Sequence, residues 1–322
     1  MPRVSLVGNG HGGSEDYATL DLWWAAESGV NYGSGNPIEA ACLGSTGTTA
    51  AISGSSVNGA LIYTSGVTYD GTNESSLAVV DRIQISAPNT TISDCYIEST
   101  SANWYACRLS ADNVIIERNR IVNTTSSLEA MVCLGSFSNS IVRNNVISGG
   151  GDVCRVGSSN GYQSINNVIF GGADKGFEGG SSGSVGVQFI TNVFSFGNTG
   201  ADIESGVFTV ATTATEDTSG GTTSGYTSSE LVDFANDDFR TKATSTLATA
   251  GQGGTFIGAF LEASSGLTAS IAESGPSFTE QISATLSKAI EASITELGPS
   301  FTESISTNLS ANITGSIGES GP

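Results

Sequence analysis

The stretch "SIVRNNVISGG", residues 140–150, sets two asparagines between the β-branched pairs Ile141-Val142 and Val146-Ile147. Four such residues around a polar dipeptide predict two short strands joined by a sharp bend, because Asn tolerates backbone angles that other residues avoid. The same phrase returns along the chain. Set beneath one another, windows 92–97, 116–121, 142–147, 164–169 and 189–194 align. Their fourth place reads Cys95, Asn119, Asn145, Asn167 and Asn192, and their sixth Ile97, Ile121, Ile147, Ile169 and Phe194, with steps of 24, 26, 22 and 25 residues.

A period that drifts by a residue or two is that of a solenoid whose coils differ in their loops. About ten residues after each window come Cys107, Cys133, Cys154, Phe177 and Ile203 in a second short apolar segment. Each coil thus offers at least two strands. Stacked at about 4.8 Å, their backbones pair and their inward side chains form columns. The expected fold is all-β, a parallel β-helix with an asparagine ladder at one turn, where a column of amides satisfies groups otherwise buried unpaired. Cys107, Cys133 and Cys154 read as a column of small core residues.

Composition narrows the function. The chain has 322 residues, 38% hydrophobic and 13% charged, enough for a sizeable core. With 31 acidic residues against 11 basic ones its net charge is −20, which repels phosphate backbones and anionic membranes. No nucleic-acid partner and no membrane insertion are expected. The N-terminal "MPRVSLVGNGHGG" lacks the long apolar stretch of a signal peptide, so the protein is expected to stay where it is made or to leave by lysis or a dedicated route. Five cysteines show no C-x-x-C spacing, and the single histidine, His11, lies in a Gly-rich leader. Neither a metal cluster nor a histidine-based catalytic set is expected, and no cofactor; any catalysis falls to carboxylates.

With the ladder in view, the chain resembles the right-handed parallel β-helix proteins of the pectate-lyase-like kind over roughly residues 15–260. The segment 237–260, "DDFRTKATSTLATAGQGGTFIGAF", is similar to the closing stretch of many of them, with Thr246 in place of the usual Pro. At the front, Tyr17, Leu20, Trp23 and Trp24 fall at helical spacing, as suits an amphipathic helix capping the open end. The expected organisation is a leader and capping helix over 1–36, the β-helix over 37–260 and a repetitive segment over 261–322.

That last segment has no Asp, Arg, Tyr, Trp or Cys and repeats every 23 residues. Phe278, Ile282, Leu286, Ile290 and Ile294 return as Phe301, Ile305, Leu309, Ile313 and Ile317. Gly-Pro breaks and Ser-x-x-Glu capping boxes at Ser277/Glu280 and Ser300/Glu303 favour helices of about 18 residues. The Ser and Thr content would also suit an intertwined β-fibre. Either way an isolated apolar stripe implies self-association, with a homotrimer favoured.

Candidate chemistry is sparse. One place after the Cys column come Arg108, Leu134, Arg155, Glu178 and Glu204, which by alternation face outward. Glu178 and Glu204, joined by Asp202, form a possible glycosidase pair. Asp152 and Asp174, beside Lys175, are candidates for a metal-assisted lyase. Trp104, Tyr105, Tyr162 and Phe177 are the aromatics available to stack on sugars. Glu178 and Glu204 read first as an exposed row offset by Arg155, and Asp152 and Asp174 first as turn chemistry, so no catalytic residue is assigned.

Three functions remain open. The favoured one is a structural virion protein of a bacteriophage, a tail fibre, tail spike or head fibre made in the host cytoplasm, which meets other virion proteins and a host-surface glycan. Its support is a resemblance of architecture and composition to phage appendages. The others are a polysaccharide lyase or glycosidase of the β-helix fold, and a bacterial surface adhesin or filament subunit.

Overall fold

A computed structural model describes residues 4–9, 16–31, 36–53, 59–134, 138–157, 161–179, 189–204, 208–262 and five strands beyond them. His11 lies outside the described residues. The chain divides into two compact units, Met1–Leu261 and Glu262–Pro322.

The first unit is a parallel β-solenoid with three faces. On the first face, strands Ala60–Thr64, Thr90–Ser93, Ile115–Glu117, Ile141–Arg143, Gln163–Ile165, Phe189–Thr191 and Thr209–Ala211 pair in succession, all parallel. The second face runs through Cys95–Ser99, Arg120–Asn123, Val146–Gly149, Val168–Phe170 and Phe194–Phe196. The third holds Cys107–Leu109, Met131–Cys133, Cys154–Val156 and Phe177–Gly179. Strand Val4–Asn9, in the stretch read as a leader, pairs with Ile38–Ile52 and adds a rung of its own.

Between the first and second faces the chain turns on one residue. Asp94, Arg118, Asn144, Asn166, Asn192 and Thr212 all have φ between +49° and +56°, the left-handed region that Asn enters at least cost. The two asparagines of residues 144 and 145 therefore do different work: Asn144 makes the bend and Asn145 enters the interior. There, residues 24 apart or so do lie over one another. Ile97, Ile121, Ile147 and Ile169 form one file, and Ile92, Ile116 and Val142 another, all at most 1% exposed. The outer side of the second face is buried too. Val146, Val168, Phe194 and Ala214 are fully covered by the returning segment 226–261, whose Leu231, Phe239, Leu247 and Ile257 pack onto them. That is why this face reads as adjacent apolar pairs rather than alternation.

The segment similar to a closing stretch is thus a strap along the solenoid. Phe239 donates its backbone N–H to Gly71 O at 3.0 Å, and Gly258 donates to Asn192 O at 3.0 Å. Its rings join a cluster in which Phe170 stacks on Phe196 and Phe239 at 5.4 and 5.5 Å. Helix Leu20–Glu27 begins at Thr19, whose Oγ1 accepts from Leu22 N at 3.3 Å. It buries Leu20 and Trp23 in the main core, while Trp24 Nε1 donates to Ser53 O at 2.9 Å.

Three register expectations need correction. Phe189 pairs with Gln163 and Phe194 with Val168, so the window at 189–194 is one residue early. Val193 occupies the ladder place, and Asn192 makes the bend. Met131, rather than Cys133, stands between Cys107 and Cys154; Cys133 lies two residues on, between Leu109 and Val156. Consequently Val132, not Leu134, continues the outward row from Arg108 to Arg155.

The second unit is built from strands where helices are favoured by the capping boxes. Thr268–Glu273, Glu291–Glu296 and Thr314–Glu319 pair in parallel at the 23-residue step, as do Phe278–Ala284 and Phe301–Thr307. Phe278 thus shares a register position with Phe301, Ile282 with Ile305, and Ile294 with Ile317. β-branched Ile and Thr on an identical repeat prefer the in-register ladder to a helix interior. Leu286, Ile290, Leu309 and Ile313 lie outside the described residues.

Candidate functional site

The ladder is the most fully bonded polar feature of the interior. Asn119 N donates to Asn145 Oδ1 at 2.9 Å and Asn145 N to Asn167 Oδ1 at 2.8 Å, while Cys95 N donates to Asn119 Oδ1 at 3.0 Å. Asn145 Nδ2 donates down to Ile116 O and across to Arg143 O, both at 2.9 Å, and up to Asn167 Oδ1 at 3.1 Å. Asn167 Nδ2 ends on Val142 O and Ser164 Oγ. Asn192 instead anchors the strap, accepting at Oδ1 from Gln252 N at 2.7 Å. Burial pushes Cys107 up to about 12 and raises Cys133 and Cys154 likewise, so they stay protonated, and all five cysteines are free.

The outward row of the third face and the loops that lead into it gather a charged cluster. Glu178 and Glu204 do meet, through Lys175: its Nζ lies 3.3 Å from each. Asp202 does not join them. It is 2% exposed and accepts from Asn198 Nδ2 at 2.6 Å and Glu216 N at 2.7 Å, a turn network facing Ser195 in the interior. Glu178's closer companions are Asp152 and Glu129. Carboxylate oxygens of the three lie within 4.8 Å of one another. Arg155 bridges the outer two, with Nη1 at 3.1 Å from Glu129 and Nε at 3.0 Å from Glu178.

These neighbours split the acids. Burial, with a hydrogen bond to Glu178, pushes Asp152 up to about 6. Burial would raise Glu178 too, but Asp152's hydrogen bond, Arg155 and Lys175 together bring it below the usual carboxylate range. Asp174 lies near enough to raise Asp152 further, and its backbone N–H donates to Gly151 O in a turn.

The raised Asp152 value fixes a sign. Its folded form keeps a proton that the unfolded chain releases near pH 4, so this residue's contribution to stability falls as pH rises from about 4 to about 6. Asp152→Asn, which retains the acceptor for Lys175 N, is expected to stabilise the protein above pH 6 by about 1 kcal/mol, the half-exposed position being allowed for. Urea midpoints of both proteins at pH 4 and pH 8 check this; a variant less stable at pH 8 would contradict it.

Of the aromatics, Tyr162 and Phe177 are fully buried and face the core. Trp104 is 46% exposed, with the Arg82 guanidinium 4.2 Å from its ring centroid. It stands two rungs from Asp152 along the same side, since Cys107 and Cys154 both pair with Met131. Glu129 was invisible to the period because it lies in a loop, and loops are where coil length drifts.

The geometry defines an all-β parallel β-solenoid with a carboxylate-rich third face. No family model, no curated protein and no solved structure matches the chain.

Proposed function

We propose that this chain is a structural protein of a bacteriophage particle, a tail fibre, tail spike or head fibre. In this reading a right-handed, pectate-lyase-like β-helix presents a rigid surface to a host glycan or decorates the particle. The helix Leu20–Glu27, with Trp23 and Trp24 in the core, caps one end against edge-to-edge pairing. Residues 262–322 trimerise the protein or anchor it to other virion proteins. One observation carries this reading: a solenoid of stacked coils is followed in the chain by a second unit whose strands pair in register at a 23-residue step, so both are built by repetition. The charge of −20 fits a protein that meets neither nucleic acid nor membrane, and no helix among the described residues is long and apolar enough to cross one. Mass spectrometry of purified particles, with sedimentation of the isolated protein, tests it. Presence in the particle as a trimer supports the proposal; absence from particles together with a monomer overturns it.

A polysaccharide-cleaving activity is the second reading, favoured by the Asp152–Glu178 pair. Their carboxylate oxygens lie within 4.8 Å of one another, with one acid shifted up and the other down, so that one can hold a proton while its neighbour stays ionised. Depolymerisation of host capsule or exopolysaccharide decides it: activity in the parent that Asp152→Asn and Glu178→Gln both abolish establishes the enzyme, and binding without product release returns the protein to the structural reading.

A further inference from the structure

The returning segment buries the outer side of the second face, whereas the outer side of the first keeps apolar residues within reach of solvent. Val4–Asn9 and the start of Ile38–Ile52 extend this face to nine parallel strands, whose outward places form two columns. The first column holds Val4, Leu61, Ile115, Ile141 and Phe189, of which Val4 is 45% and Phe189 40% exposed and the others half-buried. Leu6, Tyr63 and Ile165 stand half-buried in the second. Only Glu39, Glu117 and Arg143 are charged among these outward places, two acids against one base on a chain of charge −20. At about 4.8 Å per strand the face is about 40 Å long, and two outward residues with their side chains make it about 15 Å wide, about 600 Å² in area. Soluble monomers rarely leave so large a surface of this character bare.

We infer that this face binds the same face of a second copy of the chain, the two solenoids running antiparallel about a two-fold axis that passes between Ile115–Glu117 and Ile141–Arg143. Charge selects the occupant. Two molecules at −20 repel one another, and a surface nearly free of acid is where they can touch. Self-complementarity selects the orientation. Antiparallel copies set like columns together in reversed strand order, so Ile115 meets Ile141 of the second copy and Leu61 meets its Phe189. Glu117 of each copy meets Arg143 of the other. Arg143 donates from Nε to its own Glu117 at 2.7 Å yet is 44% exposed along its side chain, so it can serve both carboxylates. Ile165 of the second copy falls over Ser93, where a hollow of about 400 Å³ lies between Leu61, Tyr63, Val67, Ser93 and Arg118, and Phe189 falls at its rim. Parallel copies would set unlike columns together, Ile115 on Glu117 and Ile141 on Arg143, and so bury charge against aliphatic side chains. The antiparallel pair covers about 1,200 Å² in total, the lower bound for a stable interface. The inference stands apart from either reading of function, and of the two roles given to residues 262–322 it goes with anchoring.

Sedimentation of the full chain is expected to show a concentration-dependent dimer. Phe189→Glu and Ile141→Glu should each weaken association about tenfold or more, while Trp104→Ala, an exposed ring off this face, should sediment as the parent does. Ile141→Glu keeps the test sound if Phe189→Glu fails to fold. Orientation is read by cross-linking. Thr91 faces Gln163 of the second copy in the antiparallel pair, so the double variant Thr91→Cys/Gln163→Cys, treated with a short bismaleimide, should give covalent dimers on a denaturing gel. Neither single variant should, and the native cysteines are all buried. A parent that stays monomeric, or an oligomer that both glutamate variants leave intact, overturns the inference. So does the absence of covalent dimer from the double variant, or a covalent dimer from Thr91→Cys alone, which would mean parallel copies.

Discussion

Asn145→Ala is expected to lower the stability of the solenoid by about 3–5 kcal/mol, more than any neighbouring polar substitution. The amide of Asn145 accepts from Asn119 N and donates to Ile116 O, both interior, and to Arg143 O, which is partly buried. Alanine leaves at least two of them buried without partners, each costing about 1–3 kcal/mol, because no water reaches them. Asn144→Gly, one residue earlier, is the control. At φ +56° glycine enters the bend more easily than Asn, so that change should move stability by no more than about 0.5 kcal/mol. Urea unfolding of the pair decides the matter: comparable midpoints would mean that the amide column contributes nothing beyond its volume.

Phe239→Ala should act differently, by loosening the strap before the coils. Phe239 is 1% exposed, stacks on Phe170 at 5.5 Å and lies under the Arg120 guanidinium at 5.0 Å. Removing the ring costs about 3–5 kcal/mol through lost burial and the cavity left behind. Arg120, which also pairs with Glu74 at 3.2 Å, would then face an empty space on one side. Limited proteolysis should show new cuts between residues 226 and 261, with hydrogen exchange in Ile121 and Ile147 still slow. Uniform loss of protection across coils and strap would show instead that the two form one cooperative unit.

Much of this was legible in the sequence wherever residue identity itself repeats. The Ile97, Ile121, Ile147 and Ile169 file and the Asn119, Asn145, Asn167 ladder could be read because each coil carries the same residue in the same phrase. The reading slipped at residues 189–194, where Phe189 and Asn192 imitate the phrase one residue early and only the pairing of Phe189 with Gln163 reveals it. Cys133 slipped by two, an error that alternation conceals because residues two apart face the same side. That error put Leu134 in the outward row. The carboxylate cluster was half legible: Glu178 and Asp152 stood out as acids, but Glu129 joins them from a loop that obeys no period. The strap's contacts, such as Phe239 with Gly71, have no periodicity at all. For the second unit helix and β-fibre both stayed open, because Pro and Ser-x-x-Glu signals mark helix starts locally, whereas an identical repeat lets strands pair across copies of itself.

The strap also bears on how the solenoid would respond to force. Stacked coils resist compression equally all round, but sideways bending opens the gaps between rungs on the convex side. On the second face those gaps are spanned by a continuous segment tied near Gly71 at one point and at Asn192 at another, so bending that stretches this side must break the ties. Flexing toward the strap meets no such continuous restraint on the opposite side, where rung-to-rung hydrogen bonds and the ion pairs of Arg155 and Lys175 hold. A lateral load would therefore be borne unequally by direction, stiff one way and compliant the other.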